Sequence, residues 1–255
     1  MQKDTSKLII FEVISVNVGS TLTPIGNPQN LFLWNSWNIS FTAFCVGMIP
    51  LVSILLVILL IFTCIVFPNK EITIHDGDNS EKKPKKNLFI FSIIMLIIYL
   101  ISIELNQEYF VVIVIFILYL VFHRTILLKV DWLLLLLFII IFIDFHVIST
   151  LSSISEIINA LNLQSSRIIF LISVIASQII SNVPASVLVS KFSNNWLAIT
   201  YGVNIGGNGL IIGSLANIIA LRMTSSKKML LDFHKYSIPY FLITGTIVYF
   251  LLLVF

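Results

Sequence analysis

Residues 16–31 read VNVGSTLTPIGNPQNL and residues 203–218 read VNIGGNGLIIGSLANI, and the two align without a gap at an offset of 187. Val16/Val203, Asn17/Asn204, Gly19/Gly206, Gly26/Gly213 and Asn30/Asn217 are identical pairs, and Val18/Ile205, Asn27/Ser214 and Leu31/Ile218 are close ones. Asparagine and glycine at this density do not suit the interior of an apolar helix. Paired interruptions of hydrophobic segments in two parts of a membrane chain are a sequence pointer to a transporter's binding site.

The rest of the chain gives those interruptions their setting. It has 255 residues, 58% of them hydrophobic and 11% charged, with a mean hydropathy of +1.04. A soluble domain carries about 25% charged residues, so this composition predicts an all-α, multi-pass protein of the cell membrane, one permease domain over 1–255. The net charge of +3 does not point to nucleic acid, because the basic residues sit in short loops. Cys45 and Cys64 fall in one predicted helix, separated by roughly 28 Å at 1.5 Å per residue, and cannot pair with each other. The opening MQKDTSKLIIFEV does not read as a cleavable signal peptide. No GxGD, HExxH or GxSxG is present, so no intramembrane enzyme is indicated.

A helical span needs about 20 apolar residues. The pattern predicts a first broken helix over 1–38, spans over 39–67, 88–103, 109–122 and 132–148, an interrupted stretch over 167–191, a second broken helix over 194–222 and a last helix over 237–255. Lysine and arginine in short loops set orientation. The 68–87 loop, with Lys70, Lys82, Lys83, Lys85 and Lys86, is placed in the cytoplasm. The 104–108 link, with acids only, lies outside, and the 123–131 link, with Arg124 and Lys129, lies inside. If 167–191 dips in and returns, the second broken helix runs from outside to Arg222, Lys227 and Lys228 inside. The first runs from inside to outside, so the two form an inverted-topology repeat.

A broken helix in a membrane exposes backbone groups, tolerable only where they face a cavity or ligand. Gly19, Gly26, Gly206, Gly207, Gly209 and Gly213 permit unusual dihedrals and close approach, and Pro24 and Pro28 interrupt the first segment. Asn17, Thr21, Thr23, Asn27, Asn204, Asn208, Ser214 and Asn217 add neutral donors and acceptors. The half-helices starting near Pro28 and Ser214 present positive ends suited to anions. A role in packing alone would call for small residues at every fourth position. In SQIISNVPAS (177–186), Ser177, Ser181, Asn182 and Ser186 surround Pro184, and the short apolar flanks fit a hairpin with Ser181 and Asn182 at its tip. Glu12 and Asp144 are candidate proton-linked residues because ionisable groups in a membrane are functional candidates by default. Asp144 and His146, two apart, do not share a helix face. His75, His123 and His234 are expected in loops.

The strings GSTLTPIGNPQN and SQIISNVPAS resemble the ion transporter superfamily, which holds the sodium-coupled divalent-anion (dicarboxylate, citrate, sulfate) symporters, the arsenite permeases and the sodium/proton antiporters. The resemblance covers nearly the whole chain and implies an inverted-repeat secondary transporter fold with discontinuous helices and re-entrant hairpins. It places Gly26, Asn27 and Pro28 at the first break, Gly213 and Ser214 at the second, and Ser177, Ser181 and Asn182 at a polar hairpin tip. Na⁺ would then be bound at Gly26, Ser177, Ser181, Asn182 and Gly213. Val183 stands where symporters carry threonine, and Leu215 and Ala216 replace prolines. Val183, Asn27 and Gln29 favour the arsenite-permease-like branch over the dicarboxylate branch, and the lost prolines imply a less rigid second break. The position equivalent to Asn182 in the first half falls before Met1, so the resemblance implies that the first hairpin is missing and that the chain is a fragment or one product of a split gene. The expected function is secondary active transport of a small anion, coupled to Na⁺ or H⁺ and needing no other cofactor. The expected partners are the lipid bilayer and an N-terminal half or a second copy. The alternatives are Na⁺/H⁺ antiport and a non-transporting accessory half or degenerate remnant.

Overall fold

The computed structural model describes residues 2–67, 86–105, 107–152, 156, 165–222 and 227–251. Every regular element among them is a helix. The lysines at 70–85, His75 and most of the Ser- and Asn-rich stretch 149–166 lie outside the described residues. The chain divides into two compact units, one of residues 1–68 and 137–255 and one of residues 69–136.

The smaller unit holds α4 (Lys86–Glu104), α5 (Glu108–Phe122) and the short α6 (Arg124–Leu127). The hydroxyl of Tyr119 donates to Ser92 Oγ at 2.9 Å, and Phe91 meets the rings of Tyr119 and His123 edge-on. Most of its large apolar side chains are exposed, among them Phe89, Ile97, Ile113, Ile117 and Val121. A face of this kind is stable against lipid and not against water. α7 (Trp132–Ile148) straddles the division, its residues from Leu137 onward falling in the larger unit.

The larger unit comprises α1 (Gln2–Ser20), α2 (Pro28–Ser36), α3 (Phe41–Val66), α8 (Ser166–Ile180), α9 (Asn182–Ser190), α10 (Trp196–Gly206), a 3-10 turn (Ile211–Gly213), α11 (Leu215–Arg222) and α12 (Lys227–Leu251). α10 is its axis, with every residue from Ala198 to Gly206 buried. α3 presents one stripe to the interior, Phe44, Met48, Leu51, Leu55, Ile58 and Leu59, at helical spacing. Its other face is exposed and apolar, with Val46, Ile49, Val57, Leu60 and Ile61. α3 and the Lys86–Ile103 stretch of α4 are long and apolar enough to cross a membrane. Tyrosines tie α3 down: Tyr201 donates to Gly47 O at 2.6 Å and Tyr240 to Leu55 O at 2.7 Å.

The last helix starts ten residues earlier than its hydropathy predicts. The charged residues of 227–236 mask a stripe, Met229, Phe233, Ser237, Tyr240, Thr244 and Val248, that is buried along one side of α12. His234 is therefore helical and not in a loop.

α8 packs on α10 at a distance set by small residues. A Cβ on Gly202 would sit 2.5 Å from Ser173 Cβ and 2.7 Å from Phe170 O, and one on Gly206 would strike Ser177 Cβ. Gly202 and Gly206 are four apart, as are Ser173 and Ser177, so small residues do recur here at the spacing that brings membrane helices close. By contrast Gly19, the repeat equivalent of Gly206, has nothing within 4 Å of its Cβ position. We expect Gly202→Ala to force α8 from α10 and to destabilise the protein by about 1–3 kcal/mol. Gly19→Ala should be neutral or slightly stabilising through helix propensity. Thermal unfolding of the two purified variants in detergent checks this; equal melting temperatures would contradict it.

Candidate functional site

Both repeat copies are helix breaks. α1 ends at Ser20 and α2 begins at Pro28; α10 ends at Gly206 and α11 begins at Leu215. Each break leaves carbonyls and amides without helical partners. Asparagine side chains take them up. Asn30 Nδ2 donates to Ser20 O, Thr21 O and Thr23 O at 3.4, 3.1 and 3.2 Å. Asn217 Nδ2 donates to Gly207 O and Leu210 O at 2.9 and 3.3 Å. Adding 187 to Asn30, Ser20 and Thr23 gives Asn217, Gly207 and Leu210, so the two copies fasten their own breaks in the same way.

The copies are also bonded to each other, reciprocally. Asn17 Nδ2 donates to Asn217 Oδ1 at 2.9 Å, and Asn204 Nδ2 donates to Asn30 Oδ1 at 2.7 Å. Asn27 Nδ2 donates to Asn204 Oδ1 at 3.0 Å, and Ser214 Oγ donates to Asn17 Oδ1 at 3.2 Å. Each pair of bonds is interconverted by the offset of 187. Thr21 adds a bond to Asn204 Oδ1 at 3.2 Å. Asn204 is only 3% exposed and Asn30 and Asn217 are fully buried, where an amide left unpaired costs about 1–3 kcal/mol. Asn27 is also the N-cap of α2, its Oδ1 accepting from Asn30 N at 2.8 Å with Pro28 at the first helical position. That arrangement satisfies an orphan donor and uses a residue that has none.

α8 and α9 form a helical hairpin joined by Ser181 alone. Ser181 has φ 76 and ψ 155, a region populated essentially by glycine and costing about 1–3 kcal/mol for other residues. Beside it, Asn182 is 4% exposed, and a Cβ on Gly207 would lie 2.9 Å from its Nδ2. Among the described residues the Asn182 side chain makes no hydrogen bond, and its polar atoms keep some exposure. Asn208 Oδ1, in the second break, is buried and likewise unpartnered; its orientation is fixed because Nδ2 faces Asn204 O at 3.1 Å. Ser177 Oγ donates back to Ser173 O at 2.7 Å.

The expected site residues therefore separate. Asn17, Asn27, Asn204, Ser214 and Asn217 are engaged with one another, while Ser181 and Asn182 at the hairpin tip and Asn208 in the second break have polar atoms to spare. Gly26 and Gly213 serve close approach: a Cβ on Gly26 would strike Ser20 O, and one on Gly213 would lie 2.6 Å from Gly206 O. The expected unusual dihedrals are not found, since no described glycine has positive φ. Glu12 and Asp144 are exposed and outside the network. Composition did not single out Gln178, His234, Ser237 or Gly202. Gln178 bonds Gly206 O and Leu210 N, His234 Nε2 accepts from Ile211 N at 3.4 Å, and Ser237 Oγ donates to Gly209 O at 2.8 Å. Gly202 was legible as the first member of a Gly-x-x-x-Gly spacing.

Two outcomes follow for the network and the tip. A double-mutant cycle on Asn30→Ala and Asn204→Ala should give a coupling within about 0.5–3 kcal/mol, whereas a cycle on Asn204 and Asn217, which share no bond, should give a smaller one. Equal couplings in thermal unfolding would sink the reciprocal network. At the tip, Ser181→Gly should exceed Ser181→Ala in stability by about 1 kcal/mol, because only glycine relieves the backbone; the reverse order would remove the strain.

With this geometry in place, the chain can be set beside known proteins. The family model described as citrate transporter matches residues 1–195. The chain is 37% identical over 251 residues to the inner membrane protein YbiR of Escherichia coli (strain K12), covering 98% of this chain and 67% of that protein. It is 39% identical over 248 residues to the uncharacterized transporter MJ0456 of Methanocaldococcus jannaschii, covering 97% of this chain and 64% of that protein. It thus spans about two thirds of the length of these relatives. No solved structure gives a significant match. The matches, the helical fold and the apolar outer faces make this a membrane protein of a transporter family and not an enzyme. The chain belongs to the citrate transporter family.

Proposed function

We propose that this chain carries the site of a secondary active transporter that moves a small anion, an oxyanion or a carboxylate, across the cell membrane in exchange for the energy of a Na⁺ or H⁺ gradient. The observation that carries the reading is the buried, unpartnered Oδ1 of Asn208 in the second break, together with the strained backbone of Ser181 at the tip of the hairpin that packs on α10. Native proteins leave such groups unpaired rarely, and a ligand is one of the few reasons. No lysine or arginine occurs in 16–31, 177–186 or 203–218. Positive charge for an anion must then come from the N-terminal ends of α2 and α9 and from a co-bound cation. Na⁺ takes oxygen ligands, and Gly26, Ser177, Ser181, Asn182 and Gly213 offer backbone and side-chain oxygens of neutral groups. The names of the relatives agree with a transport role, and the family's description makes a citrate-like carboxylate one candidate beside arsenite-like oxyanions.

The reciprocal bonds between the breaks support a local two-fold relation, as any exchange of i to j and j to i does. With the loop charges, they favour an inverted repeat in a multi-pass protein, in which α8 and α9 enter the membrane and return. The open space at Gly19 favours a second hairpin seated on the first break, supplied by an N-terminal half or by another copy. Alternating access would then come from movement of the hairpins and breaks against the remaining helices.

Uptake of radiolabelled citrate, arsenite, phosphate and sulfate into proteoliposomes, under a Na⁺ or a pH gradient, tests the proposal. Saturable uptake of one anion, dependent on one gradient, is expected, and Asn182→Ala should lower it at least about tenfold, the worth of one buried ligand contact. Asn27→Ala should lower it too, through the cap and the network. Unchanged uptake in both variants would remove these residues from the site. Gradient-driven exchange of Na⁺ for H⁺ with no anion uptake would favour antiport, and inactivity under every gradient would favour an accessory half or a remnant.

A further inference from the structure

We propose that Gln178 is a wedge that opens the second break: its carboxamide is spliced into the helical hydrogen-bond ladder between Gly206 and Leu210. In a continuous α10 the amide of Leu210 would donate to the carbonyl of Gly206, four residues back. Here Gln178 Nε2 donates to Gly206 O, and Gln178 Oε1 accepts from Leu210 N at 2.7 Å. The two partners that should bond each other bond opposite ends of one side chain. Insertion of a side chain into the ladder is a recognised cause of helix distortion. The orientation of the carboxamide is not arbitrary, because a flip would set oxygen against Gly206 O and nitrogen against Leu210 N.

The surroundings are built for the insertion. Gly202 and Gly206 bring α8 against α10, so that Gln178, one residue beyond Ser177, arrives level with the break. Gly209 leaves room for it, since a Cβ there would strike the Gln178 carboxamide. Gly206 O also accepts from Gly209 N at 3.3 Å, closing a tighter turn where the α-helical bond has been displaced. No proline lies in 203–218 and no glycine there has positive φ; Gly206, Gly207 and Gly209 weaken the helix but remove no backbone donor from it. The first break contains Pro24 and Pro28. The two copies are thus interrupted by different means, one by its own prolines and one by glycines together with a side chain inserted from its neighbour.

This deepens the proposed function and rests on it only for its consequence, that Gln178 is a positioning residue holding the carbonyl of Gly206 and the amide of Leu210 where a ligand meets the second break. The test reads the backbone and not transport, so it can fail while the transport reading stands, and the reverse. Hydrogen–deuterium exchange is measured on peptides covering 206–212 of the full chain in nanodiscs. Gln178→Met keeps the length and removes both bonds. If Gln178 is a wedge, the segment rewinds and its amides exchange more slowly than in the unsubstituted chain, by roughly fivefold for one net backbone hydrogen bond. If Gln178 merely props an already broken segment, the same amides exchange faster or at the same rate, and the proposal is overturned.

Gln178→Glu supplies a second reading that does not depend on Gln178→Met folding. A protonated carboxyl offers one donor and one acceptor, as the carboxamide does, whereas a carboxylate only accepts. Exchange in 206–212, taken relative to the unsubstituted chain at each pH, should match it at low pH and depart from it as pH rises. A ratio independent of pH would overturn the wedge.

Discussion

The structure depends on one constraint: a helix interrupted in hydrocarbon leaves backbone groups that lipid cannot solvate. In this chain the answer is the carboxamide. It carries a donor and an acceptor on one short, neutral stem, so it can bond a freed carbonyl and still reach across to the other break. Asn30 and Asn217 do this for the carbonyls of their own copies and accept from Asn204 and Asn17 of the other. Neither break is satisfied alone. A hydroxyl has one proton to give, which Ser214 spends on Asn17 of the other copy, so it cannot also close a freed carbonyl of its own, and a charged group would have to be desolvated for a bond that an amide makes without charge.

That division of labour bears on what the site can bind. Most of the asparagines in the repeat are already in use, and their conspicuousness in the sequence reflects the need to hold two breaks together. The groups with capacity left are fewer: Ser181 and Asn182 at the hairpin tip, where Ser181 is held in an unfavourable backbone conformation, and Asn208 Oδ1 in the second break, buried without a partner. The strain at Ser181 is destabilising, and the packing of α8 and α9 on α10 holds it in the folded state.

How much of this was legible in the sequence follows from where each cause resides. The two breaks could be read because asparagine, glycine and proline are out of place in an apolar stretch, and the offset of 187 tied Asn17 to Asn204 and Asn30 to Asn217 before any contact was known. The hairpin could be read from Pro184 and the short flanks. The start of α12 could not, because charge in 227–236 outweighs an apolar stripe that only a buried face makes meaningful. Of the two services the sequence allows the glycines, dihedral freedom and close approach, only the second is used, and it is a property of the neighbour: Gly206 needs its missing Cβ because Ser177 is there, and Gly19, identical in the repeat, has open space. Gln178 was invisible for the same reason. A glutamine in an apolar helix announces nothing about the ladder it enters on another helix.

The two breaks therefore differ in what could mend them. Pro24 and Pro28 interrupt the first covalently, and no change in a neighbouring element restores the missing donors. The second has all its amides, and its continuity is decided by whether the hairpin stays seated. A hairpin that withdrew from α10 would take Gln178 with it and leave Gly206 O and Leu210 N free to find each other, four residues apart in the same chain. Movement of the hairpin and the local form of the second break are then one event.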